Sequence, residues 1–104
     1  MADVDLAIKR EIEEKCDQQV DLPNMYKVIL NNDDYTPMDF VVGVLTDHFF
    51  MTIEDASSVM MQIHNQGSAV CGIYSKDVAE TKCNLVNQLA RDNEYPLLCV
   101  VERD

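Results

Sequence analysis

Two adjacent carboxylates and an amide follow closely after an apolar segment ends. The apolar, largely β-branched residues 28–30 lead, one position later, into Asn32, Asp33 and Asp34. Such groups accept hydrogen bonds, and a charge-assisted bond to an ammonium group is about twice as strong as a neutral one. With an apolar side chain such as Met38 beside it, this cluster can hold a free protein N-terminus that carries a large hydrophobic first residue. The simpler interpretation is a polar loop whose carboxylates are favoured by a helix dipole.

A histidine later in the chain could complete such a site. His64 lies four residues after Met60 and directly after Ile63, so helical spacing puts it beside Met60 on the helix surface. Methionine is flexible and polarizable and adapts to aliphatic and aromatic guests. If the helices carrying Met38 and Met60 are neighbours, these apolar residues can line a small cavity with His64 at its rim. A lone histidine at a helix end is more often a surface or capping residue.

The spacing of the cysteines, histidines and carboxylates gives little support for a catalytic site or a metal site. The four cysteines form no C-x-x-C pair and no zinc-finger pattern, so we expect reduced thiols, with Cys71 and Cys99 in the core. With only three glycines, the chain has no Gly-rich phosphate loop. Asp33, Asp34 and His64 could ligate a metal ion, and a small metal-dependent hydrolase is kept as a minor hypothesis. We expect no enzyme and no cofactor.

Length and charge narrow the classes of partner. The 104 residues predict one small domain, and the formal net charge of −11 disfavours nucleic acids and anionic membranes as partners. No apolar run approaches the ~20 residues needed to span a bilayer. The acidic first residues are not followed by an apolar segment of the secretory type. We therefore expect a cytoplasmic monomer.

The hydrophobic pattern predicts three strands and three helices in the order β-α-α-β-α-β. A three-stranded sheet buries one face only if helices cover it, which predicts an α+β two-layer sandwich. The predicted bounds, in chain order, are 25–30, 36–49, 52–67, 69–74, 75–93 and 97–102.

Helix signals support these bounds. Thr36 followed by Pro37 predicts an N-cap, and Thr52 with Asp55 predicts a capping box for the second helix. Gly67 is placed to end that helix. The residues predicted to face the core are Ile53, Ala56, Val59, Met60 and Ile63 on the second helix, and Val78, Leu85, Val86, Leu89 and Ala90 on the third.

The first 24 residues differ from the remainder. They hold seven acidic and three basic residues, with few apolar positions and a proline at position 23. We expect residues 1–24 to form a flexible acidic tail and residues 25–104 to form the folded domain.

Several blocks of the chain resemble the ClpS adaptor family. The blocks are MYKVILxNDDYTPMxFV from position 25, VCGI from 70, VAETK from 78 and EYPLLC from 94. They occur in the family's order and extend over about residues 25–102. The resemblance implies an adaptor that recognises bacterial N-degrons, which are proteins whose first residue is Leu, Phe, Tyr or Trp. It also implies delivery to the AAA+ unfoldase ClpA of the ClpAP protease, and no enzymatic activity.

The resemblance also implies roles for individual residues. Asn32, Asp34 and His64 would bind the α-amino group, with Asp34 acting through water, and Asp33 would contact the peptide backbone behind it. Met38 would be a gate that excludes β-branched first residues. The implied side-chain pocket consists of Thr36, Met38, Val41, Met60, Ile63 and Leu97. The implied unfoldase-docking residues are Asp77, Glu80 and Lys82, and the tail would engage the unfoldase during delivery.

Two positions depart from the family pattern. Asn31 stands where an apolar residue is common, and Ile63 stands where valine is common, which adds one methylene to the pocket wall. The alternative function is a protein-interaction module that docks an unfoldase or another partner without reading N-termini. The predicted fold also resembles the C-terminal domain of the ribosomal stalk protein, so the fold alone does not decide between them.

Overall fold

The computed structural model of this chain describes residues 24–104, and these form the predicted order of three strands and three helices. Residues 1–23 lie outside this description, so the flexible acidic tail stays a prediction. The elements are β1 (Met25–Asn31), α1 (Met38–His48), α2 (Ile53–Gln66), β2 (Ser68–Ser75), α3 (Lys76–Asp92) and β3 (Leu98–Arg103).

The sheet has its first strand at the centre. The strand order is β2-β1-β3, and β1 pairs with both neighbours in antiparallel fashion. Asn31, the last residue of β1, lies opposite Ser68 on one side and Leu98 on the other. The end of the central strand therefore lies beside the start of both edge strands. These three strand ends lie at the same end of the domain.

The core lies between one face of the sheet and the helices. Val28 and Leu30 of β1 are fully buried, whereas the intervening Ile29 is only partly buried, as expected for a half-covered sheet. Leu45 of α1, Ile63 of α2 and other helix residues complete one cluster. Burying each side chain of this size contributes roughly 1.5–3 kcal/mol to the stability of the fold. The two-layer α+β sandwich is confirmed, and its core lies where the hydrophobic pattern predicts it.

A β-bulge bends β2 beside its glycine. The pairing register shifts between Val28 and Ile29, which lie opposite Gly72 and Val70 respectively. A Cβ atom at Gly72 would overlap the hydroxyl end of the Tyr74 ring. A residue with a Cβ atom here would have to displace the Tyr74 ring, which lies directly against the backbone.

The start of α1 differs from the sequence prediction. Thr36 does not cap the helix; Pro37 occupies the N-cap position, and its carbonyl accepts the Phe40 and Val41 N–H groups at 3.1 and 3.3 Å. The Thr36 hydroxyl instead donates to Asp33, four positions before the cap. Thr36 belongs to the loop because both its N–H and its hydroxyl donate to the charged Asp33 carboxylate, and the helix begins one residue later than predicted.

The second helix has the predicted signals at both ends. The Asp55 N–H donates to the Thr52 hydroxyl at 3.1 Å. Gly67 closes the helix in the left-handed region with φ of 92°, and its N–H donates to the Ile63 carbonyl at 2.9 Å. The N-cap at Thr52 and the glycine terminator are both confirmed, whereas the reciprocal bond of a capping box, from the Thr52 N–H to the Asp55 side chain, is not formed within the described residues.

Three residues predicted to face the core are exposed instead. Ile53 is the first residue of α2 and extends into solvent at its end. Val78 and Leu85 of α3 lie beside the buried stripe, which consists of Ala79, Cys83, Val86 and Ala90. Small residues form that stripe because α3 lies close to the sheet, and the larger side chains are left on the neighbouring face.

The cysteines of the described residues are packing residues. Cys71, Cys83 and Cys99 are buried free thiols, as predicted for Cys71 and Cys99. Burial raises the pKa of the Cys71 thiol to about 11, and burial beside Cys83 raises the pKa of Cys99 as well. Thiols with raised pKa are poor nucleophiles. Within residues 24–104, no helix is long and apolar enough to cross a membrane.

Candidate functional site

A cavity opens at the end of the domain where β1 stops, α1 starts and α2 ends. Its volume is about 190 Å³, enough for a side chain but not for a large ligand. Its lining residues are Asn31, Asn32, Asp33, Asp34, Thr36, Met38, Val41, Met60, Ile63, His64 and Leu97. All ten residues singled out from the sequence for the α-amino site and the side-chain pocket therefore lie around one space, together with Asn31.

The loop between β1 and α1 is held by Asp33. Its Oδ1 accepts the N–H groups of Tyr35 and Thr36 at 2.8 and 2.7 Å, and its Oδ2 accepts the Thr36 hydroxyl at 2.7 Å. Burial alone would raise the pKa of Asp33, but the hydrogen bonds from Thr36 and Tyr35 outweigh it and lower the pKa below 3.8. Asp33 is thus an ionised residue that shapes the rim of the cavity.

A backbone hydrogen bond joins the two segments that carry the polar rim. The Asn32 N–H donates to the Gly67 carbonyl at 2.8 Å. Gly67 directly follows α2, whose last turn carries His64. The left-handed conformation of Gly67 therefore fixes Asn32 near His64, although the two residues are far apart in the chain.

The rim groups are free to bind a ligand. Asn32, Asp34 and His64 are exposed, and within residues 24–104 none of their side chains takes part in a hydrogen bond. One amide, one carboxylate and one imidazole thus lie at the mouth of the cavity without a competing partner. Together they can accept hydrogen bonds from a cationic group.

The floor of the cavity is apolar and rigid. Val41, Met60, Ile63 and Leu97 are all buried, so their positions are fixed by the core. Met38, the first residue of α1, is 48% exposed and lies at the mouth. The cavity therefore combines a fixed apolar interior, one adaptable side chain and a polar rim.

Leu97 is held in the cavity wall by contacts that the sequence did not reveal. The Asn87 side chain accepts the Cys99 N–H at 2.8 Å and donates to the Cys99 carbonyl at 2.9 Å, which fixes the start of β3 to α3. The Tyr95 ring packs edge-on against Phe40 of α1 at 4.8 Å. An asparagine on a helix face carries no local signal of such a role, because its partner lies twelve residues away.

The cavity suits a ligand that has a polar part and an apolar part. Both oxygens of Asp33 are engaged within the loop, one of them by the Thr36 hydroxyl that lines the cavity beside it. In the part of the chain that the structure describes, no group of three His, Cys, Asp or Glu residues could hold a metal ion. A ligand with a cationic group and an adjacent apolar side chain matches both parts of the cavity.

The predicted docking residues lie elsewhere, on α3. Asp77 and Glu80 are exposed in its first two turns. Lys82 is only partly exposed, because its ammonium donates to the His48 carbonyl at 2.7 Å. None of the three lines the cavity, so the molecule has two separate surfaces with candidate functions.

Fold and cavity together define a small α+β binding domain with an amphipathic side-chain pocket. Residues 21–100 match the family model of the ATP-dependent Clp protease adaptor protein ClpS, and the chain belongs to this family. It is also similar to the solved structure of Agrobacterium tumefaciens ClpS2 bound to L-phenylalaninamide. The identity is 41% and the TM-score is 0.78, over 80% of this chain and 100% of that one.

Proposed function

We propose that this protein is an N-degron adaptor, which binds proteins through a free N-terminal Leu, Phe, Tyr or Trp and delivers them to a ClpA-type unfoldase. The observation that carries the proposal is the single cavity with an apolar interior and a rim of unpartnered acceptors. The related ClpS2 was solved with L-phenylalaninamide, a compound with a free α-amino group and a phenyl side chain.

The rim provides recognition of the α-amino group. Asn32, Asp34 and His64 accept its hydrogen bonds, with Asp34 acting through water, and Asp33 supports the peptide backbone behind it. An acetylated N-terminus has lost two donors and the positive charge. Each acceptor then left unpaired in the complex costs about 1–3 kcal/mol, which excludes blocked N-termini.

The interior provides recognition of the first side chain. Burying a Phe or Leu side chain against Val41, Met60, Ile63 and Leu97 contributes roughly 1.5–3 kcal/mol. The cavity volume of about 190 Å³ limits the guest to a single residue. Residues of the bound protein beyond the first few therefore contribute little to recognition, as a general adaptor requires.

Delivery uses the second surface. Asp77, Glu80 and Lys82 on α3 lie outside the cavity, so the unfoldase and the substrate can be bound at the same time. The acidic tail, residues 1–24, engages the unfoldase. The adaptor acts as a monomer in the bacterial cytoplasm and modulates the substrate choice of the ClpAP protease.

Fluorescence anisotropy with labelled peptides tests the first half of the proposal. A peptide that begins with Phe is compared with its N-acetylated form and with one that begins with Ile. Binding of the free Phe peptide alone supports N-terminus recognition. Equal binding of all three, or of none, refutes it and leaves the alternative of a docking module that does not read N-termini.

Two variants locate the binding site. Asp34→Ala and His64→Ala are each expected to abolish binding of the Phe peptide while the fold survives, as checked by circular dichroism. Asp39→Ala is the matched control, since Asp39 is an exposed acid nearby that does not line the cavity. Unchanged affinity in either site variant, or an equal loss in the control, contradicts these assignments.

A further inference from the structure

The outer face of the sheet, which is turned away from the described helices, is apolar and exposed. On the edge strands, Val70, Ile73 and Leu98 are 45%, 47% and 51% exposed, and Ile29 and Val100 are partly buried. These five residues neither belong to the core cluster nor pack against it. Because side chains alternate between the two faces of a strand, they lie on the side of the sheet opposite the core.

Strand pairing joins these residues into one patch. Ile29 of the central strand lies opposite Val70 on one side and opposite Val100 on the other. Leu98 belongs to the next outward row, where it lies opposite Asn31. A contiguous exposed apolar patch of this kind is typical of an interaction surface.

The charges on the outer face do not select a partner from outside the chain. Lys27 lies opposite Glu102, so one cation and one anion stand side by side. A second copy would bring a net charge of −11 against −11, which opposes self-association. A segment of the same chain is favoured instead, because a short tether gives it a high effective concentration at the face.

The chain before Asn24 supplies such a segment, since it leads directly into the central strand. Its sequence contains apolar residues at every fourth position, which lie along one side of a helix. Pairs of opposite charge have the same spacing, which stabilises a helix further. The apolar series is Ile8, Ile12, Cys16 and Val20, and the charge pairs are Lys9 with Glu13, Arg10 with Glu14 and Glu11 with Lys15.

The length of this segment matches the sheet. A helix over residues 6–20 would be about 22 Å long, and the seven residues of β1 span about 23 Å. Pro23 cannot continue a helix and disfavours the helical conformation at Leu22, so a helix must end before the chain enters β1 at Met25. After a turn at this point, the helix can lie back along the outer face.

We propose that residues 6–20 form a helix that docks on the outer face of the sheet, with its apolar series against the patch around Ile29. An isolated helix of this length is marginal in water, so the segment is helical chiefly while it is docked. Under the proposed function, the same residues engage the unfoldase. Docking is therefore reversible, and it keeps the segment on the sheet until the unfoldase is bound.

Amide hydrogen exchange of the full chain, measured by mass spectrometry, tests the docking. Ile12→Asp places a charge in the apolar series, and the amides of residues 8–20 are expected to exchange about tenfold faster than in the wild type. Leu6→Asp makes the same chemical change outside the series and is the matched control, with exchange in residues 8–20 unchanged. Equal exchange in the wild type and in Ile12→Asp would contradict the docking.

A second pair of variants shows whether the sheet protects the segment. Val70→Thr/Ile73→Thr removes apolar groups from the outer face and keeps the β-branched side chains that suit a strand. It is expected to speed exchange in residues 8–20, although it changes no residue of that segment. Val78→Thr, at a similarly exposed valine on α3, is the control with unchanged exchange. Protection that survives the double variant would overturn the proposal, since the segment would then be held elsewhere.

A disulfide cross-link identifies what occupies the face. A docked Cys16, one helical turn before Val20, lies level with Lys27, whose neighbour on β2 is Ile73. With glutathione disulfide as oxidant, Ile73→Cys is expected to form a disulfide with Cys16 within one molecule, whereas Leu85→Cys on α3 is not. Mass mapping of the monomer fraction detects the bond. A disulfide formed only between two molecules would identify a second copy as the occupant and would overturn the proposal, as would no disulfide at all.

The outcomes separate this proposal from the proposed function, because none of these measurements involves a substrate peptide or the unfoldase. If the Phe peptide binds but residues 8–20 are unprotected, the docking is wrong while the adaptor function stands. If residues 8–20 are protected but no free N-terminus is bound, the docking stands and the proposed function fails.

Discussion

Met38 is the residue with the most freedom around the cavity, since it is half exposed while the floor residues are buried. It is proposed as a gate against first residues that branch at Cβ, which are stiff at χ1 and cannot move their second branch aside. Met38→Ala is expected to bind Ile- and Val-initiated peptides at least about tenfold more tightly than the wild type, a gain of about 1.4 kcal/mol. Anisotropy with Ile, Val and Phe peptides checks this; continued exclusion of the branched peptides would show that the gate lies elsewhere.

Ile63 is expected to limit the room in the pocket. It is buried in the wall and carries one methylene more than a valine would. Ile63→Val costs about 0.5–1.5 kcal/mol of stability, and it enlarges the cavity. The affinity ratio of a Trp-initiated to a Phe-initiated peptide is expected to rise. Titration of both peptides, with thermal melts as the stability control, decides this, and an unchanged ratio would mean that Ile63 does not limit the guest.

Asp33 makes stability depend on pH. Because its pKa is lowered in the folded state, its contribution is fully present above the ordinary value of 3.8 and is lost as pH falls through the lower folded value. Asp33→Asn is therefore expected to lower the free energy of unfolding at pH 6, by about 1 kcal/mol for hydrogen bonds at a partly exposed site. At pH 3 the difference from the wild type narrows. Urea unfolding at both pH values measures this, and a constant difference would exclude the charge of Asp33 as its cause.

At the scale of single residues, the sequence predicted correctly which residues lie close together. It was less successful in predicting the role of each one. The amide and carboxylates after β1, with Met60 and His64 on one helix, were enough to predict a polar rim over an apolar cavity. The inward hydrogen bonds of Asp33 were not predictable, because they depend on the backbone conformation of the loop. Asn87 was missed because its partner is distant in sequence.

Among the elements, the end of α2 matters most for the site. Gly67 adopts φ of 92° and its carbonyl accepts the Asn32 N–H, so a residue with Cβ there strains the turn that joins the two halves of the rim. Gly67→Ala is expected to cost about 1–2 kcal/mol of stability and to weaken binding of the Phe peptide.

A second glycine provides the control for this element. Gly43 lies within α1, and a Cβ atom there meets nothing within 4 Å. Gly43→Ala is expected to stabilise the protein by up to about 1 kcal/mol and to leave peptide affinity unchanged. Urea unfolding and anisotropy on both variants check the pair. Equal peptide affinity in the Gly67 and Gly43 variants would show that the turn does not support the site.

Periodicity and caps predicted the helices and strands and their order correctly. They did not predict at every position which side chains face the core. The bounds of all six elements lie within two residues of their predicted positions. The pattern failed at Val78 and Leu85 because apolar residues on α3 occupy two adjoining faces, and small residues form the buried one. The position of the α1 N-cap likewise depends on the folded loop.

At the scale of the whole molecule, the net charge is expected to govern the association rate of ligands. The net charge of −11 attracts cationic peptides over a distance that salt shortens, from about 30 Å at 0.01 M to about 10 Å at 0.1 M. The association rate of a Phe-initiated peptide rich in Lys is expected to fall as salt rises, whereas a neutral peptide with the same first residue changes little. Stopped-flow measurements across salt concentrations test this, and equal salt dependence for both peptides would contradict it.

The asparagine of α3 that holds the start of β3 has one more consequence. At Cys99 the outer backbone groups of this edge strand are occupied by the Asn87 amide. An incoming polypeptide therefore cannot pair with β3 at this residue and extend the sheet on that side. Under the proposed function, the bound protein is then recognised at its terminus and first side chain and not along this edge, so unrelated proteins can share one receptor.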